Sequence, residues 1–146
     1  MEDLLPKIAV EKNDSARFYL AFSGLTTSET NPVLDMHNAD VLLVHGQKSG
    51  DKVSQVLGLL CLGYDYREFG STVKALDYNL KGMAVAEKTG DPRLLASAYA
   101  GLSSNYLDLR DYPAAIAYGR KSVANAAKIE VNMFTIIGHY FLGEIF

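Results

Sequence analysis

Apolar residues recur every three or four positions through most of the chain, and the pattern is clearest between residues 96 and 127. One apolar stripe in this stretch contains Tyr99 and Tyr106, and a second contains Ala115 and Tyr118. Such spacing marks one face of an α-helix. Because a short polar turn separates the two stripes, the stretch predicts two antiparallel helices joined as a hairpin.

The same layout occurs once before in the chain, 40 residues earlier, so the repeat period is 40 residues. Gly63, Tyr66, Ala75 and Tyr78 stand in the earlier copy at the positions that Ser103, Tyr106, Ala115 and Tyr118 occupy in the later one. A repeat of this length built from helix pairs is typical of a solenoid, in which each hairpin packs on its neighbours. The sequence therefore predicts an all-α fold, an α-solenoid of antiparallel helix hairpins with about seven helices.

Helix caps and turn residues divide the chain into units. Asn31, Ser71 and Asp111 recur at the same repeat period, and each side chain can accept a hydrogen bond from the free amides of a helix start. Gly50 and Gly90 are placed to end a helix in the left-handed conformation. We expect a single domain over residues 1–146, with units at about 14–50, 51–90 and 91–130, a partial unit at 131–146, and residues 2–12 as the tail of a preceding or capping helix.

Composition and charge narrow the classes of partner. The chain is 49% hydrophobic and 21% charged, and its net charge of -3 provides no basic field, so nucleic acid is not expected as a partner. The single cysteine, Cys61, is interpreted as a packing residue and suits a reducing compartment. The first ten residues show neither the basic start of a signal peptide nor a long apolar run. We therefore expect a cytoplasmic protein without direct membrane contact.

Candidate catalytic and metal-binding groups are few. Residues 46–54 lack the glycine and lysine spacing of a phosphate-binding loop. His37 and His45 are separated by about 12 Å along one predicted helix, too far to share a metal ion. Asp65, Arg67 and Glu68 are expected to line a solvated helix face rather than to act as acids or bases. The sequence therefore indicates no catalytic residue, no metal site and no cofactor, with an all-helical enzyme as the remote alternative.

The repeated positions resemble the motif of the tetratricopeptide repeat, which combines a leucine–small pair, aromatic residues and small residues on two helices. The third unit supplies Tyr99, Leu102, Ser103, Tyr106, Tyr112, Ala115, Tyr118 and Ser122, and the second supplies Leu59, Leu62, Gly63, Tyr66, Ala75, Tyr78 and Gly82. The first unit departs from the motif, since Thr26 replaces the aromatic and Asp35 stands at the small-alanine position. The resemblance implies a right-handed superhelix.

The 40-residue period is similar to that of long tetratricopeptide arrays in bacterial signalling proteins, namely sensor histidine kinases and transcription regulators. This resemblance implies a non-catalytic sensory or regulatory segment that binds a protein or peptide through the concave face formed by the first helices. It places the binding residues at Arg17, Tyr64, Arg67, Glu68, Ser104, Asp108 and Tyr140. Aromatic and arginine side chains dominate binding hot spots, so Tyr64, Arg67 and Tyr140 are the expected anchors.

Residues 131–146 are expected to form the first helix of a fourth unit, whose second helix is missing. This segment is rich in large apolar residues, whereas a terminal repeat needs a polar outer face. We therefore expect either further chain or another surface to cover it, with oligomer contacts at Phe134, Ile137, Phe141 and Phe146. The alternative function is a structural or oligomerisation segment that forms a homodimer through this helix.

Overall fold

The computed structural model of the chain describes residues 1–26 and 32–129. These residues form seven α-helices and no strand, and none of these helices is long and apolar enough to span a membrane. The helices are α1 (Leu5–Val10), α2 (Asp14–Thr26), α3 (Pro32–Ser49), α4 (Lys52–Glu68), α5 (Thr72–Thr89), α6 (Pro92–Asp108) and α7 (Tyr112–Ala126). The all-α prediction is confirmed for this part of the chain. Outside the described residues lie the expected cap Asn31 and the partial unit with Phe134, Ile137, Tyr140, Phe141 and Phe146.

Aspartate caps start three of the helices. Oδ1 of Asp51 and of Asp91 accepts a hydrogen bond from the amide two residues later, at 3.1 and 2.9 Å. Oδ1 of Asp111 accepts one from the amide three residues later, at 3.1 Å. Gly50 and Gly90, which precede the first two caps, have φ angles of 75° and 66°. The helix breaks at these positions therefore have the chemistry that the sequence predicts.

Ser71 is the N-cap residue of α5 as predicted, but the expected hydrogen bond from its side chain is not formed. The break is made instead by Gly70, whose φ is 78°, and by the Ser71 amide, which donates to the Tyr66 carbonyl at 2.8 Å. The backbone conformation of Asp111 is similar to that of Ser71. The longer side chain of Asp111 reaches the amide of Ala114, whereas the Ser71 hydroxyl makes no such bond to α5. In the turn between α6 and α7, Arg110 has the left-handed conformation that Gly70 has in the turn between α4 and α5, with a φ of 61°.

Small residues lie where the two helices of each later hairpin cross. A Cβ atom on Gly63 of α4 would lie 2.5 Å from Oδ1 of Asn79 on α5, so a larger residue there would have to displace the Asn79 side chain. At the matching position of α6, Ser103 donates its hydroxyl to the carbonyl of Ala115 on α7 at 2.8 Å. Ala75, the counterpart of Ala115, has no exposed surface. The α4–α5 and α6–α7 hairpins therefore share one mode of close approach.

Tyrosine pairs fill the space beside these crossings. The rings of Tyr66 and Tyr78 stack with centroids 5.3 Å apart, and those of Tyr106 and Tyr118 stack at 5.5 Å. The interplanar angles are 7° and 6°. Each pair joins the two helices of one hairpin, and the second pair lies one repeat period after the first. The repeat in the sequence is thus also a repeat in side-chain packing.

The first predicted unit packs differently from the later hairpins. α3 lies chiefly along α4 and has less contact with α2, the helix before it. A Cβ atom on Gly58 of α4 would lie 2.9 Å from the Ala39 carbonyl and from Leu43 Cβ, both on α3. A Cβ atom on Gly46 of α3 would lie 2.6 Å from the Gln55 amide nitrogen. Two glycines therefore allow α3 and α4 to approach closely.

The main core contains residues from each of the helices α1 to α6. Its buried members are Ile8, Phe18, Ala21, Leu42, Val53, Val56, Leu57, Ala86, Leu94 and Ala98. A second, smaller cluster of Ala39, Leu43, Leu59 and Leu62 lies between α3 and α4. α4 contributes to both clusters and contacts α2 on one side and α6 on the other. A space remains between α2, α4 and α6.

Candidate binding site

A cavity of about 520 Å³ opens between α2, α4 and α6, which are the first helices of the three predicted units. α3 and α5 each add one polar side chain, Asp35 and Asn79. Its volume falls within the range of roughly 300–1,000 Å³ that is typical of ligand pockets. The cavity therefore occurs on the helices from which the binding residues are expected.

Aromatic and aliphatic side chains form one wall of the cavity. Phe18 and Phe22 of α2 have parallel rings with centroids 6.0 Å apart. Leu25 continues this wall along α2, and Leu57 and Leu60 face it from α4. An apolar wall of this kind favours the burial of an apolar portion of a ligand.

The wall formed by α6 consists of small residues. Ser97, Ala100, Gly101 and Ser104 line the cavity there, at the three- and four-residue spacing of one helix face. None of these side chains extends more than two atoms from the backbone. The free space of the cavity therefore exists because α6 carries no large residue on this face.

A buried pair of asparagines, Asn79 and Asn105, lies next to this wall, and Asn79 also lines the cavity. Nδ2 of Asn79 donates to Oδ1 of Asn105 at 2.5 Å, and the two residues are 3% and 0% exposed. Gly63 and Gly101 flank Asn79, and a Cβ atom on Gly101 would lie 2.9 Å from its Oδ1. Within the described residues, Nδ2 of Asn105 has no hydrogen-bond partner. The hydrogen bond between the two asparagines holds α5 and α6 at a set distance. The sequence patterns gave no indication of this pair.

Two carboxylates from different helices line one part of the cavity. Asp65 of α4 is only 6% exposed, so its expected place on a solvated helix face is wrong. Its hydrogen-bond partner is the Cys61 thiol, whose Sγ lies 3.8 Å from Oδ2. Oδ1 of Asp35 is fully buried and has no hydrogen-bond partner in the described part of the chain. The signal missed in the sequence is an acid four residues after Cys61, within the apolar run of α4.

The surroundings of Asp65 and Cys61 shift the pKa values of both groups. Burial, together with the nearby charge of Asp35, raises the pKa of Asp65 to about 6. Burial also raises the pKa of the Cys61 thiol to about 12, with the charge of Asp65 as the second cause. Because the thiolate is the reactive form of cysteine, Cys61 is unreactive at neutral pH. This agrees with the interpretation of Cys61 as a packing residue.

Two predicted site residues, Arg67 and Asp108, bind each other at the rim of the cavity. Arg67 Nε lies 2.5 Å from Asp108 Oδ2, and Arg67 Nη2 lies 3.1 Å from Asp108 Oδ1. The hydrogen bond raises the pKa of Arg67 and lowers that of Asp108. Each side chain is about one-third exposed. The pair bridges α4 and α6, and its two charges offset each other.

The other predicted site residues fall in three places. Tyr64 and Ser104 line the cavity, and Tyr64 is 58% exposed. Glu68 is exposed on α4, one residue after Arg67. Arg17 forms ion pairs with Asp14 and Asp51 and is not among the lining residues of the cavity. Tyr140 lies outside the described residues.

Metal-binding side chains do not gather in the described part of the chain. There, no group of three or more histidine, cysteine, aspartate or glutamate side chains could hold a metal ion. Nε2 of His37 lies 3.7 Å from a Glu2 carboxylate oxygen at the surface. His45 has a buried Nε2 without a hydrogen-bond partner among the described residues.

Comparison with known proteins gives no relative of this chain. No family model matches it, and neither a curated protein nor a solved structure does.

Proposed function

We propose that the chain is a non-catalytic tetratricopeptide-type module that binds a peptide or protein in the cavity between α2, α4 and α6. In this proposal the hairpins stack as a right-handed α-solenoid, and the first helices form its concave, partner-binding face. The observation that carries the proposal is the cavity itself, which is lined by side chains from the first helices of three successive units. A pocket that combines apolar walls with a few polar groups is typical of a binding site.

The repeated hairpin chemistry supports the solenoid. Gly63 and Ser103 occupy matching positions in successive units, and each lies at a close helix crossing within its hairpin. The stacked tyrosine pairs repeat at the same interval. Repeat arrays stack such units side by side, and their curvature creates an extended binding surface.

We also propose that the module is a sensory or regulatory segment of a bacterial signalling protein. Support for this role is the 40-residue period together with the resemblance of residues 86–122 to long arrays of that kind. The partner would then be a peptide or protein whose binding alters the position of an attached output domain.

Filling the cavity with a large side chain tests the binding site. Ala100 lines the cavity and is exposed, so Ala100→Trp occupies the space without overpacking the core. Ala84 on α5 is also exposed but does not line the cavity, so Ala84→Trp is the matched control. The ligands are peptides selected from a random displayed library with the intact chain, then synthesised and titrated by fluorescence polarisation.

We expect Ala100→Trp to weaken peptide binding at least about tenfold, while Ala84→Trp stays within about twofold of the parent chain. Equal affinity in all three proteins would place the binding site elsewhere. Failure to select any binding peptide would count against the proposed function as a whole.

A further inference from the structure

The carboxylates of Asp35 and Asp65 line the cavity without a cationic partner in the described part of the chain. No ion pair there includes either of them. The remaining ranges, 27–31 and 130–146, contain no lysine or arginine. The arginine nearest in the cavity wall, Arg67, makes two hydrogen bonds to Asp108. The chain itself therefore supplies no lysine or arginine to pair with these two acids.

Placing two poorly paired carboxylates in one cavity is electrostatically unfavourable. A carboxylate removed from water needs hydrogen bonds or an opposite charge to offset its lost hydration. Asp65 is buried, yet its hydrogen bond comes from a thiol at 3.8 Å, and thiols are weak donors. Asp35 Oδ1 is buried without any partner in the described residues. A buried acid that has a raised pKa and only a weak hydrogen-bond donor, such as Asp65, is typical of functional sites when it lies in a cleft.

The rest of the cavity indicates what kind of cation fits. The rings of Phe18 and Phe22 and the leucines of α2 and α4 line the same cavity as the two acids. Lysine and arginine combine a chain of apolar methylene groups with a charged end. Such a side chain can bury its methylene groups against an apolar wall while its charged end reaches a carboxylate.

We propose that the cavity binds a basic side chain of a peptide partner, with the ammonium or guanidinium group at Asp35 and Asp65 and its methylene groups against the apolar wall. This inference rests on the proposed peptide-binding function and specifies the ligand. A bound cation supplies the charge partner that both acids lack within residues 1–26 and 32–129. Its charge also favours the ionised form of Asp65.

Peptides selected with the intact chain provide the probe. We expect a lysine or arginine at one fixed position in the selected peptides. The best peptide is synthesised in two forms, one with that basic residue as lysine and one with acetyl-lysine, which keeps the length but removes the charge. Both are titrated against the parent chain, Asp65→Asn, Asp35→Asn and the control Asp77→Asn. Asp77 is an exposed acid on α5, so Asp77→Asn changes the net charge equally at a distant site.

The parent chain should bind the lysine peptide at least about tenfold more tightly than the acetyl-lysine peptide. Asp65→Asn and Asp35→Asn should each remove most of this preference, and Asp77→Asn should keep it. Circular dichroism and the thermal midpoint establish that each variant is folded. The preference for the lysine peptide over the acetyl-lysine peptide is compared among folded proteins only.

Two results would overturn the inference while leaving the proposed function in place. One is a set of peptides that are sensitive to Ala100→Trp but carry no basic residue. The other is an equal preference for lysine in the parent chain and in folded Asp65→Asn and Asp35→Asn. Absence of any peptide binding would instead contradict the proposed function.

Discussion

Asp65 follows Cys61 by one helical turn on α4, and burial, together with the charge of Asp35, raises its pKa to about 6. Glu68 raises this pKa slightly as well, while the hydrogen bond from Cys61 lowers it. The unfolded value is near 3.8, so the folded chain binds this proton more tightly than the unfolded chain does. The contribution of Asp65 to stability is therefore most favourable below about pH 4 and is lost as the pH rises through about 6.

Replacing Asp65 with asparagine should remove this penalty. We expect Asp65→Asn to increase the free energy of unfolding at pH 7.5 by about 1 to 3 kcal/mol, and to leave it almost unchanged near pH 4. Urea denaturation of both proteins between pH 4 and 8 measures the difference. Asp77→Asn, on the surface of α5, should follow the parent chain at each pH. An unchanged difference across this range would show that Asp65 is not a buried acid with a raised pKa.

At the scale of the element, the crossings within the hairpins depend on small side chains. Ala115 of α7 is 7% exposed, and its carbonyl accepts the hydroxyl of Ser103 on α6. We expect Ala115→Leu to force α6 and α7 apart and to lower the free energy of unfolding by about 1 to 3 kcal/mol. Ala117→Leu, at an exposed position of the same helix, should change it by less than about 0.5 kcal/mol. Equal urea midpoints for the two variants would contradict this crossing.

The turns between paired helices offer a reciprocal test. Gly70 and Arg110 occupy matching turns with φ angles of 78° and 61°, a conformation that costs most residues about 1–2 kcal/mol but costs glycine little. Arg110→Gly should therefore stabilise the chain by about 1 kcal/mol, and Gly70→Ala should destabilise it by a similar amount. A Cβ atom on Gly70 meets no atom within 4 Å, so only the backbone strain is measured. Thermal or urea unfolding that moved both variants in one direction would refute the matching turns.

The helices and most of their caps could be predicted from sequence, because both follow from local spacing and local side-chain chemistry. Asp51, Asp91 and Asp111 bind helix amides within three residues of themselves. The expected side-chain hydrogen bond is not formed at Ser71, where the outcome depends on side-chain length and on how the previous helix ends. The close packing of α3 on α4 was not foreseen, because Gly58 is informative only when its partner helix is known.

At the scale of the whole molecule, the cavity depends on contacts between units. α3 and α4 carry Asp35 and Asp65, and their close packing brings the two acids to one cavity. Local sequence patterns do not show how α3 packs on α4. The sequence therefore predicted Tyr64, Arg67 and Ser104 at the site but not Asp35 and Asp65. Arg67 was expected to bind a partner, whereas the structure pairs it with Asp108 across α4 and α6. The charge of a side chain is visible in the sequence, but its partner in the fold is not.

The most direct test of the account is the map of amide chemical-shift changes when a selected peptide is added to isotopically labelled chain. We expect the largest changes on α2, α4 and α6 around the cavity, including Phe22, Cys61 and Ala100. Small changes are expected on the exposed faces of α5 and α7, around Ala84 and Ala117. Changes confined to those outer faces, with none around the cavity, would contradict the central claim that the first helices of successive units form the binding site.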